Sequence, residues 1–448
     1  LIAHVVEGIE GGLERPHGCG EQTISAAYPS VLLLKYYKTA GKADSTLAQR
    51  ARRYAQVGLD RLLTYRSADG GFGYWGPRDS DIALTAYAAR FLADVSPLIP
   101  VDEEIIAGSL AWLVSRQQSD GAWPPRYGDG ESVTASVAAV LARISKQFPA
   151  LAQEARTADA VRRALATLQK PREPYATALA ALAAIDTGMS ELARAATTTL
   201  KAAAHREGAR AYWALETNTP FFGWGIAGRL ESTALAITAL AAVDGVQGDA
   251  RPLVDAAIEF LLLQKDAYGV WHSGQATVHV LEALLGQLRT ENAGRAARRV
   301  TVTINGQPGP TLDFPSTATA SGPVTADLTR WMHPGANTIS VDIGTGAPHA
   351  SVHVVSSYYV PWTGVIDGRE VVQKSESRTL RLGAQFDRTS AQVGDAIRCT
   401  VDVERVGHRG YGMLLAEVGL PPGAEVDRAS IGRVMEASPW SVLRYEVQ

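Results

Sequence analysis

The 448-residue sequence holds two cysteines, Cys19 and Cys399, some 380 positions apart. So sparse a pair excludes a disulfide framework and leaves the redox compartment unspecified. An excess of one charge is also lacking: 43 Lys and Arg against 46 Asp and Glu give a net charge of −3 and a pI near 6.4. That balance provides no electrostatic footprint for nucleic acid or an anionic membrane, and neither partner is expected. No apolar run approaches the roughly 20 residues that cross a bilayer, so no membrane insertion is read from the sequence. A signal-peptide pattern is missing as well. The chain opens inside a pattern already under way, "LIAHVVEGIEGGL", as a C-terminal fragment would. With 46% hydrophobic and 20% charged residues it is ordinary globular material, and its length calls for two or three domains.

Two grammars divide the chain. Up to about residue 290 it is rich in Ala and Leu, with apolar residues at helical spacing over 23–40, 44–65, 80–95, 102–118, 131–147, 151–169, 174–187, 190–204, 230–244, 250–265 and 275–289. A short opening helix makes about twelve. From about Val300 the stretches "RRVTVTINGQPG", "HASVHVVSSYYV", "RTLRLGAQF" and "AIRCTVDVERV" alternate as strands do, with turn residues between them. The expected class is therefore multidomain α + β, an α part followed by a β part.

Tryptophan turns punctuate the α part. "DGGFGYWG", "SDGAWP", "FFGWG" and "AYGVWHS" place Trp75, Trp123, Trp224 and Trp271 at two gaps of just under 50 residues and one about twice as long. One turn near "KPREPY" is unmarked. Each turn ends one helix and launches the next, which predicts six helical hairpins closed into an α/α toroid. One period before Trp75 lies the stretch "RPHGCGEQT", Arg15 to Thr23. Its cysteine is therefore expected at the same end of the ring as the tryptophan turns.

Cys19 has two readings: a small buried hydrophobe beside a turn, or the chemical partner of Gln22. A helix beginning near Glu21 puts residues three apart on one face, and Gly18 and Gly20 permit backbone conformations closed to other residues. The sulfur could then lie against the Gln22 carbonyl. Condensation there would release ammonia and leave an internal thioester, which survives where water is kept away.

The residues "GCGEQ" resemble the thioester motif of the alpha-macroglobulin and complement family. "DIALTAYAARFLADV" (81–95), "GRLESTALAITALAAV" (228–243) and "LLLQKDAYGVWHSGQATVHVLEAL" (261–284) are similar to its later helices, with Gln275 and Thr277 matching a Ser-Thr-Gln-x-Thr pattern. "GLERPHGCGEQT" with "YPSVLLLKYY" looks like the bacterial members. The resemblance implies a thioester-containing toroid at 1–291, a CUB-like β-sandwich segment at 292–362 and a truncated macroglobulin-type, receptor-binding-like β domain at 363–448. It implies that Cys19 and Gln22 form the cross-link, with Gly18, Gly20 and Glu21 supporting the motif. His17, Tyr74, Trp75, Trp123, Trp224, Trp271, His272 and Gln275 are candidate pocket or assisting residues. Cys399 is expected in a strand core.

By the same resemblance the protein is a covalent trap. Its thioester acylates lysine amines of an attacking protease or nucleophiles of a target surface, in a single turnover and not as an enzyme. The upstream macroglobulin domains of the same protein would be partners, and the setting periplasmic or secreted. Family members that favour hydroxyl targets carry a histidine in the third turn. "SDGAWPPRYGDGESVT" (119–134) has none, so amines are expected to be preferred, with His272 as a candidate substitute. A complement-like opsonising tag is the near alternative. A terpene-cyclase-like enzyme on the same toroid is the distant one, since "QQSDGAW" (117–123) resembles the turns of those cyclases but "DSD" (79–81) is a poor proton donor cluster. A non-reactive scaffold is the third. Zinc-dependent prenyltransferases share the ring but need an Asp, a Cys and a His as ligands, and Cys399 lies outside the α part. No cofactor or metal is expected.

Overall fold

The computed structural model describes residues 2–39, 45–126, 129–245, 248–266, 269–288, 298–314, 324–342, 354, 365–366, 369–370, 380–405, 418–420 and 423–437. The chain divides into two units, Leu1–Tyr358 with Gly410–Gly412, and Tyr359–Arg409 with Met413–Gln448.

Burial sorts the helices of the first unit into two shells. In α4 (Ile82–Val95) all but two of the fourteen residues are buried, whereas α3 (Thr46–Leu63) buries a stripe of Ala48, Ala51, Ala55, Leu59 and Leu62. A helix that is covered all round belongs inside, and one with a single apolar stripe belongs outside. The inner helices are α2 (Gly20–Thr39), α4, α6 (Gly130–Gln147), α9 (Pro174–Asp186), α11 (Ile226–Asp244) and α13 (Gly274–Leu288). Each packs on the next, and α13 packs on α2 to close the ring. Around them lie α1 (Ile2–Gly11), α3, α5 (Glu103–Ser115), α8 (Thr157–Thr167), α10 (Ser190–Ala203) and α12 (Arg251–Leu263). This is the expected α/α toroid. Buried alanines such as Ala86, Ala89, Ala138, Ala180 and Ala236 let the inner backbones approach closely. By length and composition α11 could cross a membrane, a feature the search for apolar runs overlooked; here it is an inner helix of the ring.

A threonine near the start of every inner helix sets the register: Thr23, Thr85, Thr134, Thr177, Thr233 and Thr277, all buried. Four of their Oγ1 atoms accept the backbone N–H of an aromatic residue in the preceding turn: Phe72 on Thr85 (2.9 Å), Trp123 on Thr134 (3.0 Å), Trp213 on Thr233 (3.1 Å) and Trp271 on Thr277 (3.0 Å). The three indoles are fully buried, and each donates Nε1–H to a carbonyl at the end of an outer helix, on Leu113, Leu200 and Leu261. At Leu113 and Leu261 the indole shares the carbonyl with the N–H of the capping residue, Arg116 and Gln264. The aromatic wedge thus fastens one helix's last turn to the next helix's first.

Two of the four tryptophans picked out by spacing are not wedges. Trp75 is 46% exposed and Trp224 is half-buried, while Phe72 and Trp213 take the wedge position. The fifth turn is lengthened by a ribbon of β1 (His205–Glu207) and β2 (Arg210–Tyr212), so its wedge comes well ahead of Trp224. The expected helix over 151–169 is also divided. Arg156 is left-handed (φ 54°) between α7 (Pro149–Glu154) and α8, and the Thr157 hydroxyl donates to the Ala152 carbonyl at 3.2 Å.

Inner helices run parallel, since partners lie at matching depth. Ser25 meets Tyr87 and Gln275 near the reactive end, and Arg90 meets Glu282 farther in. Cys19 and the tryptophan turns therefore share one end of the ring, each just before an inner helix. Deeper still, Asp94 accepts from Lys35 (2.6 Å), Arg143 (2.7 and 3.0 Å) and the Tyr28 hydroxyl (2.7 Å), tying α2, α4 and α6 together.

The first unit also contains the antiparallel sheet β4–β3–β5, from β3 (Arg298–Ile304), β4 (Gln307–Phe314) and β5 (Ile339–Asp342). Asn305 and Gly306, both at positive φ, make the two-residue hairpin turn that the sequence "ING" demands. In the second unit β6 (Val365–Ile366) pairs with β7 (Arg369–Glu370), and β8 (Leu380–Phe386) pairs with β9 (Cys399–Arg405). Cys399, expected in a strand core, is half-buried. A helix, α14 (Arg428–Ala437), stands where β structure was expected. Most of the strand expected over 349–360 and most of the 410–428 stretch lie outside the described residues.

Two outcomes test this frame. Thr134→Val should cost about 1–3 kcal/mol in urea unfolding, because the buried Trp123 N–H loses its acceptor. Burial acts to raise the Asp94 carboxyl, but Arg143, Lys35 and Arg90 more than offset it and hold its pKa well below the usual range. The stabilisation is then complete above the unfolded value near 3.9 and is lost as pH falls through the folded value. Asp94→Asn should cost about 2–3 kcal/mol at neutral pH, less than a fully buried pair because Lys35 and Arg143 keep contact with water. Below about pH 4 the difference between variant and wild type should shrink.

Candidate functional site

The stretch from Arg15 to Thr23 makes a tight turn into α2. Gly18 is left-handed (φ 78°), and a Cβ there would collide with the Gln22 carboxamide. The reason is that Gln22 folds back: its Oε1 accepts the Cys19 backbone N–H at 3.0 Å. Gly20 donates its N–H to the Tyr74 carbonyl at 2.8 Å, and a Cβ on it would press on the Gly73 carbonyl and the Leu84 side chain, each about 3.1 Å away. The other flank is held by the end of the outer helix α3 and the turn after it. Arg61 Nη2 (2.8 Å) and the Tyr65 hydroxyl (2.9 Å) both donate to the Gly18 carbonyl, while Arg61 Nε donates to Thr23 Oγ1 at 3.2 Å.

Cys19 is fully buried and Gln22 is exposed, so the pair straddles the surface of the ring end. Burial pushes the Cys19 thiol up, the Gln22 backbone N–H opposes this, and the nearby Glu21 charge adds to it. The sulfur is thus kept as a thiol and not as the reactive thiolate.

Behind the turn, Glu21 Oε1 accepts from Ser25 Oγ (2.6 Å) and from Gln275 Nε2 (3.0 Å), and Ser25 Oγ lies 3.2 Å from the Tyr87 hydroxyl. With Tyr74, whose carbonyl holds Gly20, Gln275 is a sequence-selected candidate that the fold brings to the motif. Gly274 permits this, because a Cβ there would come within 2.7 Å of the Ser25 Cβ. In the same register as Glu21 and Gln275, two residues before its threonine, stands Glu231. Burial pushes its carboxyl up to about 8, against a Thr219 hydrogen bond and with help from the Glu21 charge.

The remaining candidates separate. Tyr74 is half-buried beside Gly20 and lines a groove with Asp81, Pro125 and Arg126. Trp123 and Trp271 are wedges beneath their turns and do not line it; Trp75 and Trp224 are also absent from its walls. His272 is exposed, with φ 38°. His17 is exposed too, with Nδ1 3.1 Å from the Arg15 carbonyl oxygen. Sequence reasoning missed Arg126, Glu231, Arg61 and Tyr65, and weighed Asp81 only within a poor proton donor cluster. The threonine register would have found Glu231 by counting back two residues, as it does for Glu21 and Gln275. Among the described residues no group of three His, Cys, Asp or Glu is assembled that could hold a metal.

Residues 1–286 match the family model described as the A-macroglobulin TED domain. Thioester-containing protein 1 (allele S3) of Anopheles gambiae is 31% identical over 122 residues, which is 27% of this chain and 9% of that protein. Complement C3 of Oncorhynchus mykiss is 34% identical over 127 residues, 27% of this chain and 8% of that protein. Ovostatin of Gallus gallus is 22% identical over 305 residues, covering 63% of this chain and 20% of the relative. The chain thus spans at most a fifth of the length of these relatives. The match does not favour the terpene-cyclase-like alternative. Because it runs from the first helix to within two residues of the end of α13, and so covers the whole ring, the chain belongs to the alpha-macroglobulin thioester-domain family.

Proposed function

We propose that Cys19 and Gln22 condense to an internal thioester and that this ring is the reactive domain of a covalent trap. The observation that carries the reading is the Gln22 carbonyl folded onto the Cys19 N–H, over a glycine that leaves it room. In the condensation the Cys19 sulfur attacks Gln22 Cδ, the C–N bond breaks, and ammonia leaves with the thiol proton. The Cys19 N–H already points at the oxygen on which negative charge develops, as an oxyanion donor does. An arriving amine then forms a C–N bond to Cδ, the C–S bond breaks, and Cys19 is released as a thiol. Each molecule reacts once, which makes it a trap and not an enzyme.

Lysine amines are the favoured targets. A hydroxyl needs a base to take its proton, and the third turn offers Pro125 and Arg126 where hydroxyl-directed relatives would need a histidine. The similarity to ovostatin and to complement C3 supports two outlets of one chemistry, capture of a protease or tagging of a target surface, in a secreted setting. Domains upstream in the same protein would then shield and trigger the bond.

On a Cys399→Ser background, the native protein should weigh one ammonia less than its sequence and resist alkylation. Methylamine should release one thiol and modify Gln22. Cys19→Ala should abolish both effects, and Gly18→Ala should cut the thioester-bearing fraction at least roughly tenfold while the ring stays folded. Immediate alkylation of wild type together with full sequence mass in a fresh, gentle preparation would sink the reading. In competition at equal concentration, methylamine should be incorporated well ahead of glycerol, as read by intact mass; even incorporation would refute the amine preference.

A further inference from the structure

The peptide unit that joins Gly18 to Cys19 is hydrogen-bonded at both ends. Its N–H is the donor that Gln22 Oε1 accepts at 3.0 Å. Its C=O is the Gly18 carbonyl, which receives Arg61 Nη2 at 2.8 Å and the Tyr65 hydroxyl at 2.9 Å. The unit is trans, so the carbonyl and the N–H point in opposite directions. A chain of donors therefore runs from a guanidinium and a phenol, through one peptide group, to the side-chain carbonyl at which the proposed chemistry takes place.

These two donors are held in place. Tyr65 is buried and Arg61 is half-buried. Arg61 Nε donates to Thr23 Oγ1 at 3.2 Å, and that hydroxyl donates in turn to the His17 carbonyl at 3.3 Å. Holding at two points fixes the plane of the guanidinium. In four other hairpins the corresponding threonine accepts the backbone N–H of an aromatic residue instead. Close helix packing brings Arg61 within reach: three residues earlier, a Cβ on Gly58 would stand 2.4 Å from the Ala27 Cβ.

Such an arrangement does more than hold a turn. A carbonyl that accepts two hydrogen bonds, one of them from a charged group, draws electron density from its own nitrogen. The N–H at the other end becomes a stronger donor, and the pinned peptide plane keeps it aimed. When a nucleophile bonds to Gln22 Cδ, the C=O electron pair moves onto Oε1, where this N–H stands. The pair returns as the bond from Cδ to the leaving group breaks, and the nucleophile's proton ends on that leaving group.

We propose that Arg61 and Tyr65 are positioning residues of the thioester reaction, setting the aim and strength of the Cys19 N–H as its oxyanion donor through the Gly18–Cys19 peptide. This inference rests on the thioester reading above. Both side chains act from the carbonyl end of that peptide.

The test uses the full chain with Cys399→Ser and 15N-labelled cysteine, so that Cys19 gives the one labelled amide signal. Tyr65→Phe removes a single hydroxyl, and Arg61→Met removes the charged donor. Each should move the Cys19 amide proton upfield as its hydrogen bond weakens. Per thioester-bearing molecule, Tyr65→Phe should lower the methylamine rate roughly threefold or more and Arg61→Met roughly tenfold or more. Both effects fall short of the roughly hundredfold or greater loss when an oxyanion donor is removed outright. A purely structural role would lower the unfolding midpoint yet leave the amide shift and the rate per folded, bond-bearing molecule unmoved. That result in Tyr65→Phe, the milder variant, would overturn this inference alone. A wild type that never carries the bond would overturn the thioester reading, and this inference falls with it.

Discussion

Everything at the reactive end depends on the ring closing, and closure rests on how near α13 can come to α2. Gly274 lies so close to Ser25 that a single added carbon would force the helices apart. At that contact Gln275 reaches Glu21 and Ser25, and Ser25 in turn meets Tyr87 of α4. The carboxylate of the motif is therefore fixed by three inner helices at once. An open arc of hairpins would leave Glu21 in water and the turn before it without a backing.

The turn itself is clamped from two other sides. Backbone from the second turn holds Gly20, and the end of the outer helix, with the residue just past its cap, holds the Gly18 carbonyl through Arg61 and Tyr65. Arg61 also reaches Thr23, the threonine that in other hairpins anchors an aromatic wedge. The first hairpin has thus exchanged the wedge for a polar clamp, and the space beside it is occupied by cysteine and glutamine. In the proposed chemistry this exchange matters, because a bulky aromatic at that position would leave no room for an acyl group. Farther in, Asp94 with its three partners ties the inner shell together by charge.

Much of this was legible in the sequence. Helical spacing located the helices of both shells, and the strand alternation marked β3, β4, β8 and β9. The glycines flanking Cys19 correctly announced a turn that other residues could not make. The wedges were legible in kind but not in place: Trp75 and Trp224 stood at the right spacing while Phe72 and Trp213 were buried. Tryptophan marks a turn by composition, yet the wedge is chosen by which backbone N–H faces the buried threonine.

By itself, then, the sequence determined the period of the hairpins, the start of α2 and the chemistry-bearing pair three residues apart. These depend on local spacing, which the chain carries in its own order. Only the tertiary structure decided that Gln275 meets Glu21, that Asp81 and Arg126 share a groove with Tyr74, and that Glu231 stands buried in register with them. Those meetings join residues dozens to hundreds of positions apart. The cause is that parallel inner helices bring equivalent depths together around a closed ring, and no local pattern records which residues of different hairpins then meet.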